Sequence, residues 1–119
     1  MKTIFVVDDN SANLLMAETA LSDHYDVITM VSASIMFELL DDITPDLILL
    51  DIMMPDINGF EALKQLKSNT RYAAIPVLFL TSKNDAATEA LGFEMGIEGF
   101  IAKPFSEPVL LSRIKAILT

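Results

Sequence analysis

Five short runs of apolar residues, each followed by a segment of helical length, constrain the fold of this chain more than any other feature of its sequence. The runs are rich in β-branched and other apolar residues and have almost no polar positions, which is typical of strands buried on both faces. They predict β-strands at Ile4 to Val7, Val27 to Val31, Leu47 to Leu50, Val77 to Leu80 and Gly99 to Ala102.

The segments between and after these runs carry the end signals of helices. Asp85 and Ser106 are suited to cap helix N-termini, Pro108 suits a first turn, and Gly96 suits a left-handed stop after Met95. The predicted helices are Ser11 to Asp23, Ala33 to Asp42, Asn58 to Ser68, Asp85 to Met95 and Ser106 to Leu118. Five strand-helix units without a linker or a repeat predict one α/β domain over residues 1–119, with a parallel sheet, right-handed crossovers and helices on both faces.

The charge of the chain narrows the classes of partner. A net charge of −9 argues against nucleic acid or an anionic membrane as the main partner, and residues 1–60 hold 11 of the 17 acidic residues. The absence of cysteine excludes disulfides, thiolate metal sites and thiol nucleophiles, so an ion would be held by oxygen atoms or by His24 alone. No apolar run has the roughly 18 residues of a membrane span, and a cytoplasmic location is the expectation.

Polar residues follow the predicted strands where a parallel α/β sheet collects its ligands, beyond the carboxyl ends of the strands. In chain order they are Asp8 and Asp9, then Asp51, then Thr81 and Ser82, and then Lys103. Each has an ordinary alternative, such as helix capping for the acidic pair or a solvated surface lysine. Their joint occurrence at four strand ends predicts one shared site.

Clustered carboxylates repel one another unless cations lie between them, so this site favours a divalent ion together with Lys103. With oxygen ligands only, Mg²⁺ is the natural choice, with Mn²⁺ as an alternative. Such a site would neutralise a phosphoryl group brought to Asp51 as the nucleophile. Thr81 would then donate a hydrogen bond to one phosphoryl oxygen, and Lys103 would pair with another. The residues thus indicate an aspartate that accepts a phosphoryl group.

Four segments carry a resemblance to a known family. They are VVDDN at 6–10, DLILLDIMMPDINGFE at 46–61, VLFLTS at 77–82 and GFIAKPF at 99–105. In residues and spacing the chain resembles, over its whole length, the receiver domain of two-component response regulators, especially chemotaxis regulators. The resemblance implies a flavodoxin-like, doubly wound (βα)5 fold with a five-stranded parallel sheet in the order 2-1-3-4-5.

The resemblance also implies roles for residues at the acidic site. Asp51 matches the phosphoacceptor, which would become a 4-aspartylphosphate, and Asp8 with Asp9 matches the acidic pair that holds Mg²⁺. Asp9 and Asp51 would be direct ligands, and Asp8 would act mainly through water. Met53 matches the position that offers its backbone carbonyl to the ion.

Further positions match the family's switch. Thr81 matches the switch hydroxyl, and Lys103 matches the family's lysine, whose bond to the following proline, here Pro104, is cis. Phe100 matches an aromatic residue that swings inward, although the commoner tyrosine would bring a hydroxyl that Phe100 lacks. An ordinary core phenylalanine is the alternative. The family's output face, formed by helix four, strand five and helix five, falls within 85–118.

The first predicted helix has more apolar surface than one stripe can bury. Its expected inward stripe is Asn13, Met16, Ala17, Ala20 and Leu21. Leu14 and Leu15 widen that stripe too far for all of these residues to be buried. One hypothesis is that Leu14 or Leu15 contacts a histidine-bearing helical partner that donates the phosphoryl group, and packing is the alternative.

Together these features predict a phosphorylation-dependent signalling switch rather than a classical enzyme, although self-catalysed phosphotransfer and dephosphorylation are implied. The expected partners are a sensor histidine kinase or histidine phosphotransfer protein and a downstream output domain or protein, and a homodimer formed on phosphorylation is left open. The alternative is a phosphorylation-independent pseudo-receiver that acts only as an interaction module. A flavin or dinucleotide site would need a glycine-rich phosphate loop, and a dehalogenase-type phosphatase would need an aspartate where Met53 stands.

Overall fold

All five predicted strands form, and each is followed by its predicted helix. The structure, a computed structural model, describes residues 1–82 and 85–118. The strands are β1 (Thr3–Val7), β2 (Asp26–Met30), β3 (Leu47–Asp51), β4 (Val77–Thr81) and β5 (Gly99–Ala102). The helices are α1 (Ser11–Leu21), α2 (Ala33–Leu40), α3 (Gly59–Lys67), α4 (Ala86–Met95) and α5 (Glu107–Leu118).

The strands form one parallel sheet in the order β2-β1-β3-β4-β5, as the resemblance implies. The chain moves outward from β1 to β2, crosses back to β3 on the other side of β1, and then continues to β4 and β5. The winding direction therefore reverses between β1 and β3. In open α/β sheets the crevice for ligands opens beyond the strand ends at such a reversal.

Apolar side chains fill both sides of the sheet, which explains why the strands are apolar at nearly every position. On one side, Phe5, Ile48 and Phe79 pack with residues of α2 and α3. On the other side, Val6 and Leu49 pack with residues of α1 and α5. Of the helices that the structure describes, none combines the length and the apolar character that crossing a membrane requires.

The helix ends follow the capping signals in the sequence. The Asp85 side chain caps α4 by accepting a hydrogen bond of 2.8 Å from the Thr88 N–H. Gly96 ends the same helix with a φ of +103°, a left-handed conformation that suits glycine. The Ser106 Oγ accepts a longer bond of 3.4 Å from the Val109 N–H at the start of α5.

The prediction for the buried stripe of α1 is wrong in part. The buried residues of this helix are Leu14, Ala17, Ala20 and Leu21. Leu14 packs into the core between the sheet and α5, whereas Met16 is 47% exposed and Leu15 is 64% exposed. The helix is thus rotated relative to the predicted stripe, and Leu14 is not available for contact with a partner.

Helix α4 is in close contact with β5 at a glycine. Gly92 is the only buried residue of α4, a helix that the structure describes in full. A Cβ atom at this position would lie 2.9 Å from Cζ of Phe100 and 2.7 Å from Cδ1 of Ile97. The absence of a side chain at Gly92 therefore allows α4 to lie directly on the Phe100 ring.

Candidate functional site

The predicted polar residues meet at one edge of the sheet. Asp8 directly follows β1, Asp51 ends β3, Thr81 ends β4, and Lys103 directly follows β5. These strands are neighbours in the sheet, so their carboxyl ends adjoin. Among the described residues, Asp8, Asp51 and Thr81 are the buried polar or charged ones, with exposures of 0%, 3% and 3%. The polar interior of the domain is thus concentrated in this site.

Three carboxyl groups form the acidic part of the site. Asp8, Asp9 and Asp51 each offer one carboxylate oxygen, and these oxygens lie within 4.8 Å of one another. Asp8 and Asp51 are buried, whereas Asp9 is exposed at the mouth of the site. Buried like charges so close together require compensation by a cation.

Lys103 provides one such cation. Its Nζ lies 2.9 Å from Oδ2 of Asp8 and 2.9 Å from Oδ1 of Asp51. Its side chain is 15% exposed, and its backbone N–H donates a 2.8 Å hydrogen bond to the Thr81 carbonyl. The peptide bond to Pro104 is cis. Lys103 therefore connects the ends of β1, β3 and β4 from the end of β5.

The environment shifts the pKa of both Asp51 and Lys103. Burial raises the pKa of Asp51 from 3.8 to about 6, and the negative charge of Asp8 and a hydrogen bond with Asp9 act in the same direction. The hydrogen bond and charge of Lys103 oppose this rise. For Lys103, burial lowers the pKa, but its hydrogen bonds to Asp8 and Asp51 outweigh burial, so the pKa is raised overall. Lys103 is charged at neutral pH, and ionised Asp51 is held at an energetic cost.

Asp8 has further partners that the sequence motifs do not predict. The Asn13 Nδ2 donates a 3.2 Å hydrogen bond to Asp8 Oδ2, and the Asn10 N–H donates a 2.9 Å bond to Asp8 Oδ1. The helical periodicity predicts Asn13 in the inward stripe of α1 instead. The available signal was an amide side chain on the first turn of a helix that begins just after the acidic pair.

The region around Phe100 links the interior to the surface. Phe100 is 8% exposed, and its ring centroid lies 5.8 Å from that of Phe79 in β4 and 5.6 Å from that of Phe93 in α4. Phe93 is 52% exposed. These distances suit tilted and edge-on aromatic contacts. A ring buried beneath Gly92 is therefore in contact with a ring on the outer surface of α4.

The donor set of the site fits a hard divalent cation. All three acidic residues offer oxygen, their ligand atoms are close enough to share one ion, and one of them lies at the solvent-exposed mouth. Mg²⁺ binds with few carboxylates and keeps several waters, which agrees with this arrangement. The Met53 side chain is 73% exposed and is no part of the buried acidic cluster.

Comparison with known proteins gives consistent matches. The model of the response regulator receiver domain family matches residues 4–115. A probable cyclic di-GMP phosphodiesterase of Vibrio cholerae is 39% identical over 112 residues, which are 94% of this chain and 25% of that protein. The transcriptional regulatory protein GltR of Pseudomonas aeruginosa is 36% identical over 118 residues, which are 98% of this chain and 49% of that protein. The chain spans about half or less of the length of these curated relatives.

A solved structure of similar size shares the fold. The chemotaxis protein CheY4 of Vibrio cholerae superposes with a TM-score of 0.93 at 27% identity, covering 98% of each chain. The Vibrio cholerae protein named a probable cyclic di-GMP phosphodiesterase is about four times as long as the part that matches this chain. The similarity to this relative is therefore limited to the part of it that matches the present chain, which includes Asp51 and Lys103.

Proposed function

The chain belongs to the response regulator receiver domain family, and on that premise we propose that residues 1–119 form a switch in which Asp51 accepts a phosphoryl group. The observation that carries the proposal is the position of Lys103, whose ammonium joins Asp8 and Asp51 at 2.9 Å each beside the exposed Asp9. A receiver domain is a signalling domain rather than a classical enzyme.

The phosphoryl transfer begins with the Asp51 carboxylate. An Asp51 oxygen attacks the phosphorus of a phosphohistidine, the P–N bond breaks, and the imidazole leaves with its electron pair. The product is an acyl phosphate on Asp51, and a small acyl phosphate would serve as an alternative donor. Attack by water on the same phosphorus later returns the free carboxylate and inorganic phosphate.

The other site residues support this step by charge and hydrogen bonding. Asp8, Asp9 and Asp51 would hold Mg²⁺, or Mn²⁺ in its place, together with the backbone carbonyl of Met53. When bound, the ion supplies positive charge that offsets the carboxylates and the phosphoryl oxygens. Lys103 already contacts Asp51 Oδ1, so a small displacement would pair its ammonium with a phosphoryl oxygen.

The signal would pass to the surface through Thr81 and Phe100. Thr81 ends β4 beside Asp51, and its hydroxyl would donate a hydrogen bond to the phosphoryl group. Its movement changes the space next to the Phe100 ring, which touches both α4 and the exposed Phe93 ring. Because Phe100 has no hydroxyl, packing alone would transmit the change. The proposed output face is α4, β5 and α5, with a population shift as its mechanism.

The proposed switch is tested by adding beryllofluoride, which mimics the phosphoryl group on Asp51, together with Mg²⁺, and recording amide NMR spectra. We expect shifts at amides near Asp51 and Thr81 and also at Phe100 and α4. Asp51→Asn is the control and should give none of the beryllofluoride-dependent shifts. If the wild-type spectra show no shifts, the proposed switch is overturned. Shifts confined to residues next to Asp51 would support the pseudo-receiver alternative.

A groove lined by α1 and by the segment after Lys103 is suited to the phosphoryl donor. It has a volume of ≈ 350 Å³ and lies between α1 and the start of α5. Its lining residues are Leu15, Met16, Thr19, Ala20, Phe105, Ser106 and Glu107. Leu15 lies two residues after Asn13, which touches Asp8, and Phe105 lies two residues after Lys103. A histidine-bearing helix seated on Leu15 and Met16 would thus bring its imidazole toward Asp51.

Replacing Leu15 and Met16 together by serine is expected to slow phosphotransfer by about tenfold, the equivalent of about 1.4 kcal/mol of lost apolar contact. The donor is the purified histidine kinase that phosphorylates the wild-type domain fastest. Phosphorylation by acetyl phosphate should be unchanged, because neither residue belongs to the acidic cluster. Ile35→Ser, at another exposed apolar position on α2, is the control. An unchanged kinase rate in the double variant would contradict this docking surface.

The proposed partners are of the kinds that receiver domains have. We propose a sensor histidine kinase or a phosphotransfer protein upstream and an output domain or protein downstream, in a cytoplasmic setting. GltR is named a transcriptional regulatory protein, and this chain spans half of its length, so any contact with nucleic acid is assigned to a separate output domain. The net charge of −9 supports this assignment. A homodimer through the α4, β5 and α5 face is an extension of the proposal.

A further inference from the structure

Asn13 and Lys103 donate to the same oxygen of Asp8. Lys103 Nζ lies 2.9 Å from Asp8 Oδ2, and Asn13 Nδ2 lies 3.2 Å from it. The other oxygen, Oδ1, accepts from the Asn10 N–H at 2.9 Å. Asp8 has no solvent exposure, so these protein groups replace water around its charge.

The backbone of α1 fixes the position of Asn13. Asn13 lies in the first turn of the helix, and its N–H donates a 3.1 Å hydrogen bond to Oδ1 of the capping residue Asn10. Its amide is therefore presented to Asp8 from a rigid element. Lys103, by contrast, reaches the site with a long flexible side chain from the end of β5.

Lys103 cannot fill two positions at once. In the proposed function its ammonium leaves the carboxylates to pair with a phosphoryl oxygen, and Asp8 would then lose one of the donors at Oδ2. Asn13 still donates to that oxygen, and Asn10 still donates to Oδ1. The carboxylate of Asp8 thus stays oriented toward Asp9 and Asp51 whether or not Lys103 remains.

We propose that Asn13 is a positioning residue for Asp8, because its amide holds Oδ2 in the orientation that a divalent cation requires and allows Lys103 to leave that oxygen. This inference rests on the proposed function and adds to it a residue outside the acidic cluster. Hydrogen-bond partners of metal-binding carboxylates commonly contribute a tenfold to hundredfold factor to metal affinity.

The test measures Mg²⁺ binding to the full chain by isothermal titration calorimetry, with Asn13→Leu replacing the amide donor by an apolar side chain of the same branched shape. We expect the dissociation constant to rise by about tenfold, at the lower end of this range. Asn13→Gln keeps an amide donor and should recover most of the affinity, which a merely structural role of Asn13 would not explain. Ser32→Ala removes the cap of α2, whose hydroxyl accepts a hydrogen bond from the Ile35 N–H, and is the control for reduced stability.

Each outcome has a defined meaning. A dissociation constant for Asn13→Leu within twofold of the wild-type value would overturn the role of Asn13 and leave the proposed function standing. Absence of Mg²⁺ binding by the wild-type chain would overturn the proposed function and this inference together. If circular dichroism shows that Asn13→Leu does not fold, Asn13→Ala is measured in its place and judged by the same limits.

Discussion

Replacing Asp51 by asparagine is expected to abolish phosphorylation of the domain. The variant keeps the size and hydrogen-bonding shape of the side chain but removes the nucleophilic carboxylate, so no acyl phosphate can form. The measurement is intact-protein mass spectrometry after incubation with acetyl phosphate and Mg²⁺, where the wild-type chain should gain the mass of one phosphoryl group. Asp42→Asn, at an exposed carboxylate outside the site, should be phosphorylated like the wild type. Phosphorylation retained in Asp51→Asn would place the acceptor elsewhere.

The same substitution is expected to change how stability depends on pH in metal-free buffer. Burial raises the pKa of Asp51 from 3.8, its ordinary value, to about 6 in the folded chain. Between these values the folded state binds more protons, so the free energy of unfolding falls as pH rises through this window. Two pKa units correspond to about 2 to 3 kcal/mol, and the loss is complete above pH 6.

The asparagine side chain of the Asp51→Asn variant does not ionise, so the stability difference between the variant and the wild type should grow by about 2 to 3 kcal/mol between pH 4 and pH 7. Urea denaturation followed by circular dichroism measures this difference. Saturating Mg²⁺ should stabilise the wild-type chain more than the variant and reduce the difference at pH 7. A difference that does not vary with pH would contradict the energetic cost assigned to ionised Asp51.

Gly59→Ala is expected to destabilise the domain by about 3 kcal/mol, which is large for the addition of one methyl group. Gly59 is the first residue of α3, and its N–H donates a 2.8 Å hydrogen bond to the Ile52 carbonyl. A Cβ atom at Gly59 would lie 2.6 Å from the Asp51 carbonyl oxygen and 2.7 Å from Cα of Ile52. Both atoms belong to the backbone, so relief requires α3 to move away from the end of β3.

Gly99→Ala is the matched control for this prediction. Its Cβ atom would meet Cδ2 of Leu78 at 3.3 Å, and this atom is the end of a flexible side chain. We expect a loss of less than about 1 kcal/mol for Gly99→Ala, measured by urea denaturation beside Gly59→Ala. Equal losses for the two variants would show that the backbone contact at Gly59 is not the cause.

The strands and the location of the site could be predicted because they depend on local patterns. Strands apolar at nearly every position indicate burial on both faces, and parallel pairing brings their carboxyl ends together. Asp51 directly follows the apolar run that predicts β3, and its 3% exposure agrees with the burial of that strand. The same pattern predicts that β2 extends to Val31, and this boundary is wrong, because Val31 lies beyond the strand and is 49% exposed.

Features that depend on contacts between elements could not be predicted. The rotation of α1 is fixed by the packing of Leu14 into the core and by the hydrogen bond from Asn13 to Asp8. The apolar periodicity of the helix predicts neither contact. The ion pair between Lys103 and Asp8 depends on how the end of β5 lies relative to β1, from which it is separated by β3 and β4. The close approach of Gly92 to Phe100 likewise becomes visible only when α4 is placed on the sheet.

The close approach of α4 to Phe100 couples the binding of partners to phosphorylation. Because α4 rests on the Phe100 ring at a position without a side chain, the two cannot move independently. Under the proposed function, a protein that binds the outer surface of α4 and favours one placement of the helix must also favour one state of Asp51. Thermodynamic linkage makes the effect reciprocal, so the partner's binding and the affinity of the site for the phosphoryl mimic change by the same factor. Phosphorylation would then change the affinity for the partner, and the partner would change the phosphorylation equilibrium, through the same contact at Gly92.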